Sequence, residues 1–510
     1  MTRSSASGAE KRARLLDGSS APLPLVLRLV EALEGAGLQY CHWKSTAAIE
    51  RSLSGDNDLD LLVGRRDLGR FTAVLSELGF VRTYKPGASV SGIESFYGSD
   101  FAAGRWVHVH AHYQLVLGDD RTKNYRLPIE HAYIRAAAPG AGGLRIPVPE
   151  FEFLVLVIRL VLKYCTWDEM AWCAVRGRRA GPSRSERHEL EHLRSQLDWE
   201  RVTSLLDEHL PMIGPGLFAA CVAAVSEESP VAARLRVGRG LETALRSCAR
   251  RSRGADRALR VSRRVATAVG RRTRPPRRNR LVGGGALVGI MGGDGAGKST
   301  ALAALESWLT PEFDVRLVHL GKPPWSATTT AVRAALKAAS ETTDALRKHV
   351  GLRPVDRLAM AVSEYRPLLW LLCTARDRER TYRSARRHAS NGSLVLCDRY
   401  PHPRLGSMEV PLIASRAGRR ADDRVVRAMI SLEERYHRAI APPELLVVLR
   451  VDPEVAVARK VEEKPESVRR RGAEIWNIDW RAAGAHVVDA SQSREVVARE
   501  LEELVWSTIA

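Results

Sequence analysis

The stretch Gly292-Gly293-Asp294-Gly295-Ala296-Gly297-Lys298-Ser299-Thr300 constrains this 510-residue chain more than any other. It fits G-x-x-x-x-G-K-[ST], directly after the apolar run 286–291 and directly before a helical stretch from Ser299 to Leu309. Strand, glycine-rich loop and helix in that order let main-chain N–H groups close around a phosphate and set the positive end of a helix against it. Lys298 then reaches the outer phosphate oxygens, and the Ser299 hydroxyl can ligate Mg2+. The reading is ATP with Mg2+ as cofactors, held by 292–300. Further apolar runs at 315–320, 393–397, 444–451 and 486–489 alternate with helical stretches, so an α/β domain with a doubly wound parallel sheet is expected over 285–510. The last helix, Arg494 to Ser507, repeats Val496, Val497, Leu501, Leu504 and Val505 along one face.

Three more segments add to the loop. They are Leu396-Cys397-Asp398-Arg399-Tyr400, Val451-Asp452-Pro453-Glu454-Val455-Ala456, and Val487-Val488-Asp489-Ala490-Ser491. Together, and in this order, the four segments resemble the thymidylate kinases. The resemblance implies phosphoryl transfer from ATP to a phosphorylated small-molecule acceptor. Asp398 would hold the Mg2+ shell and Arg399 would grip the acceptor phosphate. Arg469, Arg470 and Arg471, near Glu462, Glu463 and Lys464, stand where that family carries a mobile lid, so a lid arginine would steady the transferring group. The chain also departs from the family. Gly321-Lys322-Pro323-Pro324-Trp325 replaces R-E-P-G-G-T, Cys373 takes the place of the thymine-stacking aromatic, and Pro401 to Met408 replaces S-x-x-A-Y-Q. The donor side is kept and the acceptor side is altered, so a nucleoside monophosphate other than dTMP, or another phosphorylated small molecule, is the expected acceptor.

Upstream, Pro24 to Leu33 reads as an amphipathic helix with Val26, Leu29, Val30 and Leu33 on one face, followed by α/β-type patterning to about residue 120. Lys44-Ser45, then Asp58-Leu59-Asp60-Leu61, resembles the nucleotidyltransferase signature. Carboxylates at i and i+2 of a strand share a face, so Asp58 and Asp60 are expected to bind a divalent metal, with a second, nucleotidyl-transfer activity as a corollary. A third acid is missing; Trp106 to Tyr113 offers His108, His110 and His112 on one face, and a mixed Asp/His set favours a transition metal over Mg2+. The division expected is a disordered tail 1–20, a nucleotidyltransferase-like α+β domain 21–120, a helical extension 121–232, an arginine-rich linker 233–284 and a kinase-like domain 285–510.

The net charge of +20 is concentrated. From Ala233 to Arg280 there are 17 arginines against two acids, Glu242 and Asp256. Like charges and the paired prolines of RRTRPPRRNR favour an extended, solvated segment with weak polyanion binding. This motivates an alternative, an NTP-binding regulatory or nucleic-acid-associated protein with a degenerate acceptor site. The absence of interleaved aromatics counts against it. Seven scattered cysteines without C-x-x-C pairs exclude a disulfide scaffold or zinc ribbon and suit a reducing cytoplasm. No apolar run is long enough for a membrane span, and the first 20 residues lack a secretory pattern.

Overall fold

A computed structural model describes residues 21–178, 180–225, 229–273, 278–350, 353–405, 410–460 and 463–510. The expected tail 1–20, Glu462, and Gly406, Ser407 and Met408 lie outside them. The chain divides into two compact units between Arg277 and Arg278.

The first unit opens with the helix Pro24–Gly35, whose proline sits in the first turn and whose Leu25, Val26, Leu29, Val30 and Leu33 are buried. The strands β1 (Tyr40–His42), β2 (Leu59–Val63), β3 (Val81–Tyr84), β4 (Ile93–Asp100) and β5 (Arg105–His112) follow. They lie in the order β1-β2-β5-β4-β3. β2 and β5 run parallel, while β1–β2, β3–β4 and β4–β5 are antiparallel. Leu59, Leu61, Val107, Val109 and Ala111 point into a core shared with the first helix and with Phe71 and Leu75 of Leu68–Glu77. Alternation along β2 and β5 therefore turns the acids and histidines of those strands to the other face.

Between residues 121 and 148 the chain is not helical throughout. β6 (Leu115–Leu117) pairs with β7 (Tyr125–Leu127), and β8 (Ala138–Pro139) with β9 (Arg145–Ile146). Helices then dominate, around Pro149–Tyr164, buried on almost every side. The arginine-rich stretch corrects the expectation of a solvated linker over 233–284. It forms the helices Val231–Ala244 and Arg253–Thr273. Asp256, Arg260 and Arg264 recur every four residues on one face of the latter. Arg260 meets Asp168 (3.3 Å), Glu242 (3.8 Å) and Asp256 (3.1 Å). Arg264 meets Asp119 (2.8 Å), Asp168 (3.3 Å) and Glu169 (2.5 Å). Both guanidinium groups are almost fully buried. Their charges are matched by acids far away in sequence, which a local count of charge does not register.

The second unit carries a short β10 (Arg280–Leu281) and the parallel strands β11 (Leu287–Gly292), β12 (Val315–His319), β13 (Leu394–Asp398), β14 (Leu445–Arg450) and β15 (His486–Asp489). Their order is β12-β13-β11-β14-β15. Every neighbouring pair is parallel, as the apolar runs predict. In the last helix, Arg494–Ile509, Leu501, Val505 and Trp506 are buried while Val496 is exposed, so the apolar face is narrower at its start than the sequence implies. All seven cysteines are free thiols. Among the described residues no helix is long and apolar enough to cross a membrane.

Candidate functional site

In the second unit, three strand ends meet at one edge of the sheet. β11 runs into the glycine-rich loop, Asp398 ends β13 opposite Ile290, and His319 ends β12 opposite Asp398. This is the edge at which ligands of open α/β sheets bind. The loop hands over to the helix Lys298–Leu309, with Ser299 and Thr300 exposed in its first turn and Ala296 buried beneath. Gly295 has φ +84°, and a Cβ there would lie 2.6 Å from the Ala456 carbonyl oxygen, so a side chain is excluded on two counts. Gly293 faces the backbone of Gly472, where a Cβ would come within 3.1 Å of the Gly472 Cα. The helix Pro465–Asn477 thus packs backbone to backbone on the loop.

Lys298 Nζ donates to the carbonyls of Gly292 (2.9 Å) and Gly293 (2.7 Å), curled over its own loop. Asp294 accepts from Arg399 (2.7 Å) and Arg471 (2.5 Å). Burial alone would raise its pKa, but the Arg471 hydrogen bond and the Arg399 charge hold it below the ordinary value. Arg399 adopts φ +55°, rare for a residue with a side chain. Its N–H bonds the Ile290 carbonyl (3.0 Å), which fixes this conformation at the crossover from β13. Asp398 Oδ2 lies 3.4 Å from His319 Nε2, and Asp398 Oδ1 is buried without a hydrogen-bond partner among the described residues. Burial lowers the pKa of His319 against the opposite pull of Asp398, and the charges of Arg399, Lys322 and Lys298 act in the same direction as burial.

The three lid candidates separate. Arg471 reaches the loop through Asp294, Arg469 is engaged by Glu454 (2.6 and 2.9 Å), and Arg470 is exposed. The sequence reading missed two groups. Arg378, nearly buried, donates to the Leu320 carbonyl (2.8 Å) and lies 3.3 Å from His437. Burial, and then Arg378 itself, push the His437 pKa down to about 4. The second group is Trp325 and Trp370, both exposed, with the Arg333 guanidinium 3.5 Å and 4.8 Å from their ring centres. Trp370 precedes Cys373 by three residues, a spacing that puts both on one helix face and could have flagged it.

In the first unit, Asp58 and Asp60 do not share one set of partners. Asp58 Oδ1 lies 2.8 Å from His108 Nδ1, whose ring stacks on Tyr97 at 4.3 Å. Asp60 Oδ1 meets Lys44 Nζ (2.9 Å), His110 Nδ1 (3.3 Å) and His112 Nε2 (3.7 Å). Asp60 stands directly opposite His110 in the parallel β2–β5 pair. Burial would raise the Asp60 pKa, but Lys44 and the imidazoles hold it well below the carboxylate range. His112 is buried against the edge of Trp43 (5.0 Å), and burial drops its pKa to about 3.

No family model matches the chain. A thymidylate kinase of Lactiplantibacillus plantarum is 25% identical over 237 residues, covering 44% of this chain and 93% of that protein. A thymidylate kinase of Symbiobacterium thermophilum is 27% identical over 228 residues, 43% of this chain and 92% of that protein. An uncharacterized ATP-binding protein of Escherichia coli is 25% identical over 246 residues, 43% of this chain and 89% of that protein. With the loop at the end of a parallel sheet, these distant likenesses support a P-loop kinase-like segment with nucleotide-binding character in under half of the chain.

Proposed function

We propose that the second unit transfers the terminal phosphoryl group of ATP to the phosphate of a nucleoside monophosphate or another phosphorylated small molecule. The observation that carries this is the convergence of Lys298, Asp398, Arg399 and Arg471 at one strand-end edge. The residues fit ATP and Mg2+. Loop glycines leave backbone N–H groups uncovered by side chains, and Asp398 Oδ1 is buried with no hydrogen-bond partner among the described residues. Bound Mg2+ would neutralise charge on the outer phosphates, with Ser299 and Asp398 as the residues to hold it. Lys298 exchanges two carbonyl partners for phosphate oxygens. Asp294 keeps Arg399 and Arg471 beside the loop, so each guanidinium is already oriented when charge develops.

Thymidylate is expected to be a poor acceptor, because Cys373 offers no ring face. Trp370 and Trp325 have their faces engaged by Arg333. A nucleotidyl-transfer activity of residues 21–120 is not part of the proposal, since Asp58 and Asp60 are drawn to different partners. A panel of nucleoside monophosphates and sugar phosphates, incubated with ATP and Mg2+, tests the reading. One acceptor should be phosphorylated, and K298A should lose the activity by at least about 10³-fold. ATP hydrolysis with no acceptor turned over would instead favour the NTP-dependent regulatory reading.

A further inference from the structure

The cluster at the polar face of β2 and β5 has a chemistry that the kinase reading does not use. Its members are Asp60 from one strand and His110 and His112 from the next. The parallel pairing sets Asp60 opposite His110, and the two-residue period of a strand puts His112 on the same face. One ligand atom from each lies within 4.8 Å of the other two. We propose that Asp60, His110 and His112 form a binding site for one divalent transition-metal ion of the zinc type, distinct from an Asp58–Asp60 magnesium pair.

The distances suit such an ion. With bonds of about 2.0–2.1 Å at tetrahedral angles, neighbouring ligand atoms stand roughly 3.4 Å apart. Asp60 Oδ1 is 3.3 Å from His110 Nδ1 and 3.7 Å from His112 Nε2, close to that spacing, and the two imidazoles bring a ligand atom each within 4.8 Å of one another. Two imidazoles and one carboxylate make a donor set that prefers transition metals to Mg2+. The second observation is His112. It is about 2% exposed, and neither ring nitrogen has a hydrogen-bond partner among the described residues, with Nε2 3.7 Å from Asp60 Oδ1, beyond hydrogen-bonding reach. A buried imidazole with no partner is costly as pure structure. The Trp43 edge, 5.0 Å away, fixes its ring plane.

Lys44 Nζ, 2.9 Å from Asp60 Oδ1, supplies a positive charge to the same oxygen. It therefore competes with the ion, and metal uptake requires the ammonium to swing aside. Asp58 is taken by His108 and is a neighbour rather than a member of the site.

The test uses tag-free, chelator-stripped full-length protein, with Zn2+ followed by calorimetry and Co2+ by visible absorption. Wild type should take up one Zn2+ per chain, and Co2+ should show d–d bands without a thiolate charge-transfer band. His110 is partly exposed, so H110A is expected to fold; it should weaken Zn2+ binding by about 10–100-fold or more. D58N should leave the affinity within about 2-fold, and K44M should tighten it, because the competing cation is gone. No Zn2+ uptake by either wild type or K44M overturns the proposal and leaves an ion-pair network. A thiolate band would also overturn it by placing the ion on a cysteine. So would Mg2+ binding that D58N abolishes as fully as H110A does.

Discussion

Two groups of arginines, 260 with 264 and 469 with 471, come from stretches that look alike in the sequence and end up in opposite situations. Arg260 and Arg264 are enclosed by Asp119, Asp168, Glu169, Glu242 and Asp256, away from water. Arg471 is half-exposed, tied to one loop carboxylate at 2.5 Å and more distantly to Glu463 at 3.8 Å, and Arg469 pairs with Glu454 at the surface. A guanidinium surrounded by acids acts as part of the scaffold, since moving it would strand several buried charges. One held at a loop edge can exchange its partner for a phosphate at small cost.

The sharpest way to break this contrast is R264M. Removing the guanidinium that Asp119, Asp168 and Glu169 share, with Arg260 still beside Asp168 and Arg121 beside Asp119, should cost the first unit about 3–5 kcal/mol, read as faster hydrogen exchange in Pro149–Tyr164 and a lower unfolding midpoint. A cost near that of a surface pair would mean that the enclosure is not structural. Next comes the split between lid arginines. R471A should lower kcat about 10²-fold with a smaller change in ATP affinity, while R469A should stay within about 3-fold of wild type. Equal losses would erase the distinction between them.

A buried acid on which a cation, Arg159, acts less than burial does sharpens the same point. Glu152 accepts the Thr46 N–H (3.0 Å), yet burial lifts its pKa from 4.5 to about 7. Because the folded state prefers the protonated form, stability from this group is present below pH 4.5 and falls as pH rises towards 7. E152Q should flatten that slope and gain about 1–3 kcal/mol over wild type at pH 8. Matching pH profiles for the two proteins would refute it. The smallest effect concerns the exposed arginines. Replacing Arg236, Arg239 and Arg257 with serine should slightly reduce retention on heparin and leave phosphoryl transfer unchanged; lost turnover would put them in the kinase site. These substitutions are a cleaner probe than removing 233–280, which would also take away Arg260 and Arg264.

Much of the second unit was legible because its signals are local. Continuous apolar runs mark strands buried on both faces, and the glycines from 292 to 297 declare a loop by their spacing. Arg399 and Asp398 could be placed from a strand-end segment alone. What could not be read was pairing across distance. Nothing near Arg264 in sequence announces Asp119 or Asp168, and the histidines of 106–113, though singled out beside the two acids, could not be divided between Asp58 and Asp60 without the strand register. Arg378 was equally hidden, because one charged residue in a charged helix looks like solvent-facing surface until its partners, the Leu320 carbonyl and His437, are known.

The pairing of Asp60 opposite His110 makes the site sensitive to insertions in an uneven way. The turn between β4 and β5, Phe101 to Gly104, lies outside both strands and can gain or lose residues while the strands keep their alignment. A single residue inserted between Val107 and His110 would send His110 and His112 into the space now filled by Ala111 and Tyr113, and two inserted residues would restore the face but shift each imidazole one step along Asp60. Homologous chains that share this cluster should therefore vary in the length of that turn and not between positions 107 and 112.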